Sequence, residues 1–263
     1  MKALSVLSFE SIGRRAWKVW RRNLLTFLKT WRVNFIPPFL EPMLYLFALG
    51  FGVGSYIDQV EGIPYVRFIA PGLISISIMN ASFFECTYSS YVRMHYQRIF
   101  DAMIATPITI EEVIAGELMW GATRSLIYTI LMLPVFIGFG VVDLPSSLLV
   151  IPFAPVAGLL FAAIGMCFTA ITPNIEALNY PSFLFITPMF LFSGTFFPLS
   201  MLPEPLQVIA LSFLPLTHVV ILIRSMTLNL LSASLVPNMI WILGVEAILC
   251  VLAISLMKKR LIV

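Results

Sequence analysis

The chain has 263 residues, 60% hydrophobic and 11% charged, with a mean hydropathy of +0.98 and a formal net charge of +3. Soluble domains carry about 25% charged residues, so an ordinary soluble domain is excluded. So is a nucleic-acid binder, which needs cations spread along a solvated face. What remains is an all-α polytopic membrane protein, a single transmembrane domain over 1–263.

The cations sit at the ends. Eight of the 16 Lys/Arg precede Ile36, namely Lys2, Arg14, Arg15, Lys18, Arg21, Arg22, Lys29 and Arg32, and three more are Lys258, Lys259 and Arg260. Basic residues flanking apolar spans stay in the cytoplasm, so both termini are expected there. The opening MKALSVLSFES lacks the continuous apolar stretch of a signal peptide. Residues 8–32 read as an amphipathic helix lying in the membrane interface. Phe9, Ile12, Ala16, Val19 and Trp20 share one face and the cations take the others.

A spanning helix needs about 20 mostly apolar residues, and six stretches qualify by composition. The first runs over 36–56, with Pro37, Pro38 and Pro42 breaking its start and GFGVG ending it. The others cover 68–92, 113–140 with Pro134 as a kink, 148–172 with Pro152 and Pro155, 176–197, and 235–257. Six crossings place both ends on one side, in agreement with the charge pattern. The outer loops near 57–67, 141–147 and 198–234 then hold only Arg67 and Arg224 as cations. The inner loop carries Arg93, His95 and Arg98.

Two segments do not read as simple spans. Residues 93–117 are too charged for lipid. They are expected to form a cytoplasmic loop over 93–112, with a short helix around Arg98–Ala105, a break at Thr106-Pro107, and a new helix opened by Thr109 and Glu112 as a capping box. Residues 198–231 are cut by Pro203, Pro205 and Pro215 into pieces too short to cross, and are expected to be short re-entrant outer helices.

No P-loop, HExxH or GxSxG pattern appears, so catalysis on this chain is not expected. Cys86, Cys167 and Cys250 are isolated and suggest neither zinc nor disulfides. His218, in PLTHVVILI, reads as a packed or interfacial histidine. Carboxylates at membrane depth are expensive and mark function or packing. Glu41, Glu85 and Glu246 are such groups. Glu117 and Arg124, seven apart, share a face of the third span. Phe192 and Phe196, in a phenylalanine-rich fifth span, either pack against helices and lipid or join Glu85 and Glu246 in lining a substrate path.

Several stretches resemble the membrane subunit of type-2 ABC exporters, in the lipo-oligosaccharide branch typified by nodulation-factor export permease J. They are EPMLYLFALGFGVGSYI (41–57), FIAPGLISISIMNASFFECTYSSYVRM (68–94), FDAMIATPITIEEVIAGELMWGATRS (100–125) and the segment 179–226, in which SGTFFP, LP and PLTHVV with a trailing Arg are the most specific. The resemblance implies a bacterial inner-membrane half-transporter that pairs with a second copy of itself. Each copy would recruit a separate cytoplasmic ATPase, which would hold the ATP and Mg, with no cofactor on this chain. It implies a coupling helix over about Arg98–Pro107, with Arg98, Phe100, Asp101, Thr106, Pro107, Glu111 and Glu112 as contact residues. Reversal of Glu111 and Glu112, or deletion of Arg98–Asp101, is then expected to uncouple hydrolysis from transport. The cargo would be an amphipathic glycolipid or lipo-oligosaccharide, or alternatively a polysaccharide precursor or drug. An ion-gradient carrier relying on Glu246 or Glu85, and a structural scaffold, are the competing readings.

Overall fold

The computed structural model describes residues 13–57 and 59–262, with residues 32–39 described by backbone alone. Phe9, Ile12 and Asp58 therefore lie outside the described residues.

Helix α1 runs unbroken over Ala16–Tyr45 and continues as a π-helical stretch, Leu46–Gly52. The expected interruption at Pro37, Pro38 and Pro42 does not end it. Proline's φ is helix-compatible, and its cost is a lost hydrogen bond and a local clash, which membrane helices tolerate. Ala16, Val19, Asn23 and Phe27 are buried on one face, the spacing of a helical stripe, and that face packs on helix α4 (Ile110–Gly138). A side chain at Gly116 of α4 would bring its Cβ within 2.6 Å of Val19 Cβ, so glycine permits this approach. Trp20 Nε1 donates to Thr123 Oγ1 at 2.8 Å across the same seam.

A two-residue hairpin, not expected from the sequence, pairs β1 (Gln59–Val60) antiparallel with β2 (Ile63–Pro64). Its turn residues Glu61 and Gly62 both have positive φ, as such tight hairpin turns require. Helix α2 (Tyr65–Phe84) follows, and π-helical turns at Glu85–Ser89 and Val92–Tyr96 extend it. The short α3 (Ile99–Ile104) precedes α4, and α5 covers Val150–Ile171. Small residues bring α2, α4 and α5 close, as in membrane bundles generally. A Cβ at Gly165, for example, would lie 2.8 Å from Phe83 O.

Residues 176–192 are helical in pieces, with a π-helical turn at Ser182–Ile186 leading into α6 (Thr187–Phe192). The expected pair of short helices over 198–231 is present as α7 (Glu204–Phe213) and α8 (Pro215–Thr227), which meet at 88°. Arg224 ties the far end of α8 to its neighbours. Its Nη2 donates to Gly194 O at 2.7 Å and Phe68 O at 3.2 Å, and its guanidinium lies 3.9 Å from the centre of the Phe68 ring. His218 is a packed histidine, bonded to Asn238 and Leu211 O and stacked on Trp241. Helix α9 (Val236–Leu261) closes the fold.

Among the described residues, four helical stretches are long and apolar enough to cross a membrane: Tyr65–Tyr96, Ile110–Gly138, Ser146–Ile171 and Ala233–Leu261. A fifth is reached if α7 and α8 count as one bent span. Of the six expected crossings, 36–56 and 176–197 fall short of that length. The apolar part of the former is Leu40–Ser55, and proline and π-helical turns divide the latter.

The Gly116 seam makes a direct prediction. Gly116→Val should destabilise the detergent-purified protein by about 1–3 kcal/mol, the usual cost of overpacking. It should also lower the midpoint of thermal unfolding. Gly138→Ala, with nothing within 4 Å of its added Cβ, should leave that midpoint unchanged.

Candidate functional site

Four charged side chains converge where α1, the extended α2 and α4 meet. Arg93 donates to Glu85 Oε1 at 2.7 Å and to Glu117 Oε2 at 2.5 Å. Arg124 Nε lies 3.7 Å from Glu85 Oε2. Neutral donors complete the carboxylates. Trp120 Nε1 reaches Glu85 at 2.9 Å, Asn23 Nδ2 reaches Glu117 Oε1 at 2.7 Å, and Ser90 Oγ reaches Glu117 Oε2 at 2.8 Å. Both carboxylates are almost wholly inaccessible. Burying such charges is tolerated only with this degree of pairing and hydrogen bonding. Glu117 and Arg124, read from the sequence as sharing one face of this helix, pair with Arg93 and Glu85 respectively. Arg93, a loop cation by sequence, is the centre of the cluster.

Two cavities meet at this cluster. One, of about 290 Å³, extends toward Glu41, Tyr45, Ile76, Asn80 and Tyr128. The other, of about 350 Å³, runs toward Arg22, Asn23, Thr26, Gln97 and Trp120. They share Glu85, Tyr88, Ser89 and Arg124 as wall. Of the residues expected to line a substrate path, Glu85 stands at this junction. Glu246 on α9 lines neither cavity, and its Oε2 is buried without a hydrogen-bond partner. Phe192 and Phe196 also lie apart from both. Phe196 packs against Phe190 and Tyr45, which favours the packing reading for that ring.

The 98–112 segment divides into a displayed tip and a fastened root. Arg98 adopts a left-handed conformation (φ 52°) and, with Asp101 3.4 Å away, is exposed. Thr106 and Pro107 are exposed beside them, and Arg15, the residue before α1, donates to Pro107 O. Phe100 is fully buried in a cluster with Val113, Ile114, Leu118 and Met257, so it anchors the tip rather than being displayed. The capping box forms as expected. Thr109 Oγ1 accepts from the Glu112 amide at 3.3 Å, and Glu112 Oε2 accepts from the Thr109 amide at 3.2 Å. Glu111 accepts from Lys258 Nζ at 2.6 Å. Both acids are buried, so reversing them would attack the fold, and the exposed pair Arg98 and Asp101 is the proper target for a surface test. At the same end of the molecule, Arg260 donates to Thr172 O at 2.6 Å and also to Thr169 O.

The family description "ABC-2 type transporter" matches residues 14–228. Nodulation protein J of Sinorhizobium fredii is 35% identical over 211 residues, covering 80% of each chain. That of Neorhizobium galegae is 34% identical over 247 residues, 92% of each. The inner membrane transport permease YadH of Escherichia coli is 25% identical over 185 residues, 70% of this chain and 72% of that one. The chain belongs to the ABC-2 type transporter family. It is a multi-pass membrane permease of the bacterial inner membrane, a transport subunit rather than a catalytic one. No solved structure matches it. The matched region contains the charge cluster, both cavities and the 98–112 segment, while the α9 residues Lys258 and Arg260 lie beyond it.

The cluster should behave as a unit within the permease. Glu117→Gln leaves a surplus buried cation and should cost about 3–5 kcal/mol, read as a fall in the unfolding midpoint. Adding Arg93→Met to Glu117→Gln restores neutrality among the four charged sites and should recover part of that loss. Strict additivity of the two substitutions would contradict the pairing.

Proposed function

We propose that this chain is the membrane half of an ATP-driven exporter, working as two copies with two cytoplasmic ABC ATPases that hold the ATP and Mg. The cargo is an amphipathic glycolipid or lipo-oligosaccharide-like compound moved outward across the inner membrane. Both termini and the 93–112 segment face the cytoplasm. Six crossings result when 36–56 and 176–197 join the four long spans, and α7 with α8 dips into the outer leaflet.

The observation that carries this reading is the mechanical build of the 98–112 segment. Its tip, Arg98 and Asp101, is free to meet a soluble partner. Its root is tied by Phe100, the capping box and the Lys258 pair to α4 and α9. A push on the tip therefore moves α4, and α4 carries Glu117, Trp120 and Arg124 into the charge cluster at the cavity junction. ATPase closure would thus reach the cavities as a rigid-body displacement. A carrier driven by an ion gradient has one observation in its favour, the unpartnered Glu246 carboxyl. Glu85, the other candidate, is held by two arginines and a tryptophan, which suits a fixed charge better than a proton relay.

The reading is tested by purifying the tagged chain in mild detergent and identifying what accompanies it. A stoichiometric subunit bearing a P-loop is expected. The double variant Arg98→Glu, Asp101→Lys changes exposed side chains, so stability should shift by no more than about 0.5 kcal/mol. Substrate-stimulated ATP hydrolysis should fall at least about tenfold, equivalent to ~1.4 kcal/mol of lost coupling. Full stimulation in that variant would sink the coupling role. Transport by the chain alone, abolished by uncouplers and by Glu246→Gln, would establish the carrier instead.

A further inference from the structure

We infer that the two adjacent cavities together form a binding site for a phosphate-bearing amphiphile, the phosphate lodged among Arg22, Arg93 and Arg124 and the rest of the molecule passing their shared wall into the cavity toward Tyr45 and Ile76. The inference rests on the permease reading and adds the chemistry of the headgroup.

The charge count comes first. Glu85 and Glu117 balance Arg93 and Arg124, and Arg22 leaves the group one positive charge in excess. Arg22 has no carboxylate within 4 Å among the described residues, and its side chain donates only to the neutral Asn23 Oδ1, at 2.8 Å. Arg124 makes no hydrogen bond among the described residues, its Glu85 contact of 3.7 Å being too long for one. Two guanidinium groups with spare capacity thus face one cavity of about 350 Å³. Asn23, Thr26 and Gln97 add polar atoms to its wall. Guanidinium groups bind phosphate oxygens in a forked geometry, and these bonds are among the strongest in proteins. An anion here would supply the partners that Arg22 and Arg124 lack.

Depth comes second. Arg93 is four residues from Gln97, where the helix ends, or about 6 Å at 1.5 Å per residue. Exposed Arg98 follows immediately. Arg22 and Arg93 therefore lie toward the end of the bundle that carries the 98–107 tip, Arg124 lies deeper, midway along α4, and the other cavity continues inward along α2 to Leu73. Its wall is mostly apolar and aromatic, with Tyr45, Ile76, Phe84 and Tyr128 among its residues. A polar, cationic chamber adjoining a largely apolar, aromatic one matches a molecule with an anionic head and a less polar body. Sites of this kind are mostly apolar with a few placed polar groups.

The test is native mass spectrometry of the purified full-length chain, titrated with phosphatidic acid, with diacylglycerol of the same acyl chains, and with inorganic phosphate. The first phosphatidic acid should bind at least tenfold tighter than diacylglycerol. R22Q should lower that affinity about tenfold, the loss of one charge-assisted contact, without altering diacylglycerol binding, and R22K should retain most of it. R22Q removes no ion pair and only the donor to Asn23 Oδ1, so its unfolding midpoint should fall by less than that of Glu117→Gln. R124Q should weaken the phosphatidic acid further. Equal binding of the two lipids, or an R22Q protein that binds phosphatidic acid normally, would overturn the site. Inorganic phosphate binding as tightly as the lipid would overturn the amphiphile and leave a free-anion site. The same preparation reads the permease partnership separately. Loss of lipid preference with a P-loop subunit still attached overturns only the headgroup site. A retained preference with no such subunit overturns the partnership and leaves the site standing.

Discussion

Arg93, held between Glu85 and Glu117, is the interaction on which the remaining architecture depends. Taking three charges out of water costs several kcal/mol each, and their attraction offsets this only when every donor and acceptor is placed. That requirement is met by residues from three separate elements: Asn23 from α1, Ser90 from the extended α2, and Trp120 from α4. None of these elements can shift alone without stranding a charge. An apolar cluster of equal size would hold the helices together but would let them slide, since lipid competes for apolar surface without preference. The ion network therefore fixes relative position, where apolar packing supplies only adhesion.

The two ends of the molecule are fastened differently, and this sets where motion can occur. At the hairpin end, Arg224 binds the backbone of Gly194 and Phe68, and Arg67 pairs with Asp143. The 59–67, 141–147 and 194–227 segments are thereby joined. At the other end, Arg15, Lys258 and Arg260 hold Pro107, Glu111 and the end of α5. Helix α4, with 29 residues, is about 43 Å long at 1.5 Å per residue, well over the ~30 Å hydrocarbon core. Its first turns can thus stand outside the hydrocarbon while its middle frames the cavities. One rigid element spans the distance from the displayed tip to the inner chamber.

Much of this was readable from residue order. The charge pattern, four of the six spans, the helix–break–helix at 99–110, the Thr109–Glu112 box and the bent pair over 204–227 all follow from local rules of hydropathy, capping and proline placement. The charge cluster was not readable, for a geometric reason. Eight residues separate Glu85 from Arg93, and at 100° per residue an α-helix would set them about 80° apart. The π-helical turns at 85–89 and 92–96 slow that rotation and return both side chains toward one face. Without knowledge of those turns, nothing in the sequence joins Glu117 to Arg93, and only its shared helix face with Arg124 is legible. Asn23 was hidden in the same way, because its partner lies 94 residues away and nothing in the basic stretch around it distinguishes a buried position from a solvated one.

The π-helical turns also explain why the polar site sits where it does. Such turns are rare, cost helix regularity and are found mostly at functional positions. Here the Glu85–Ser89 turn forms the wall shared by both cavities. A regular α-helix would keep its backbone bonds shorter but would turn either Glu85 or Arg93 away from the junction, leaving the other charge unpaired at membrane depth. The irregular backbone and the buried ion network therefore stabilise one another. The π-helical turns place the carboxylate and the guanidinium together, and the pairing offsets the cost of the turns. Loss of the Arg93 charge should release both constraints at once, so the helical register of 85–96 and the shape of the cavity junction are set by a single side chain.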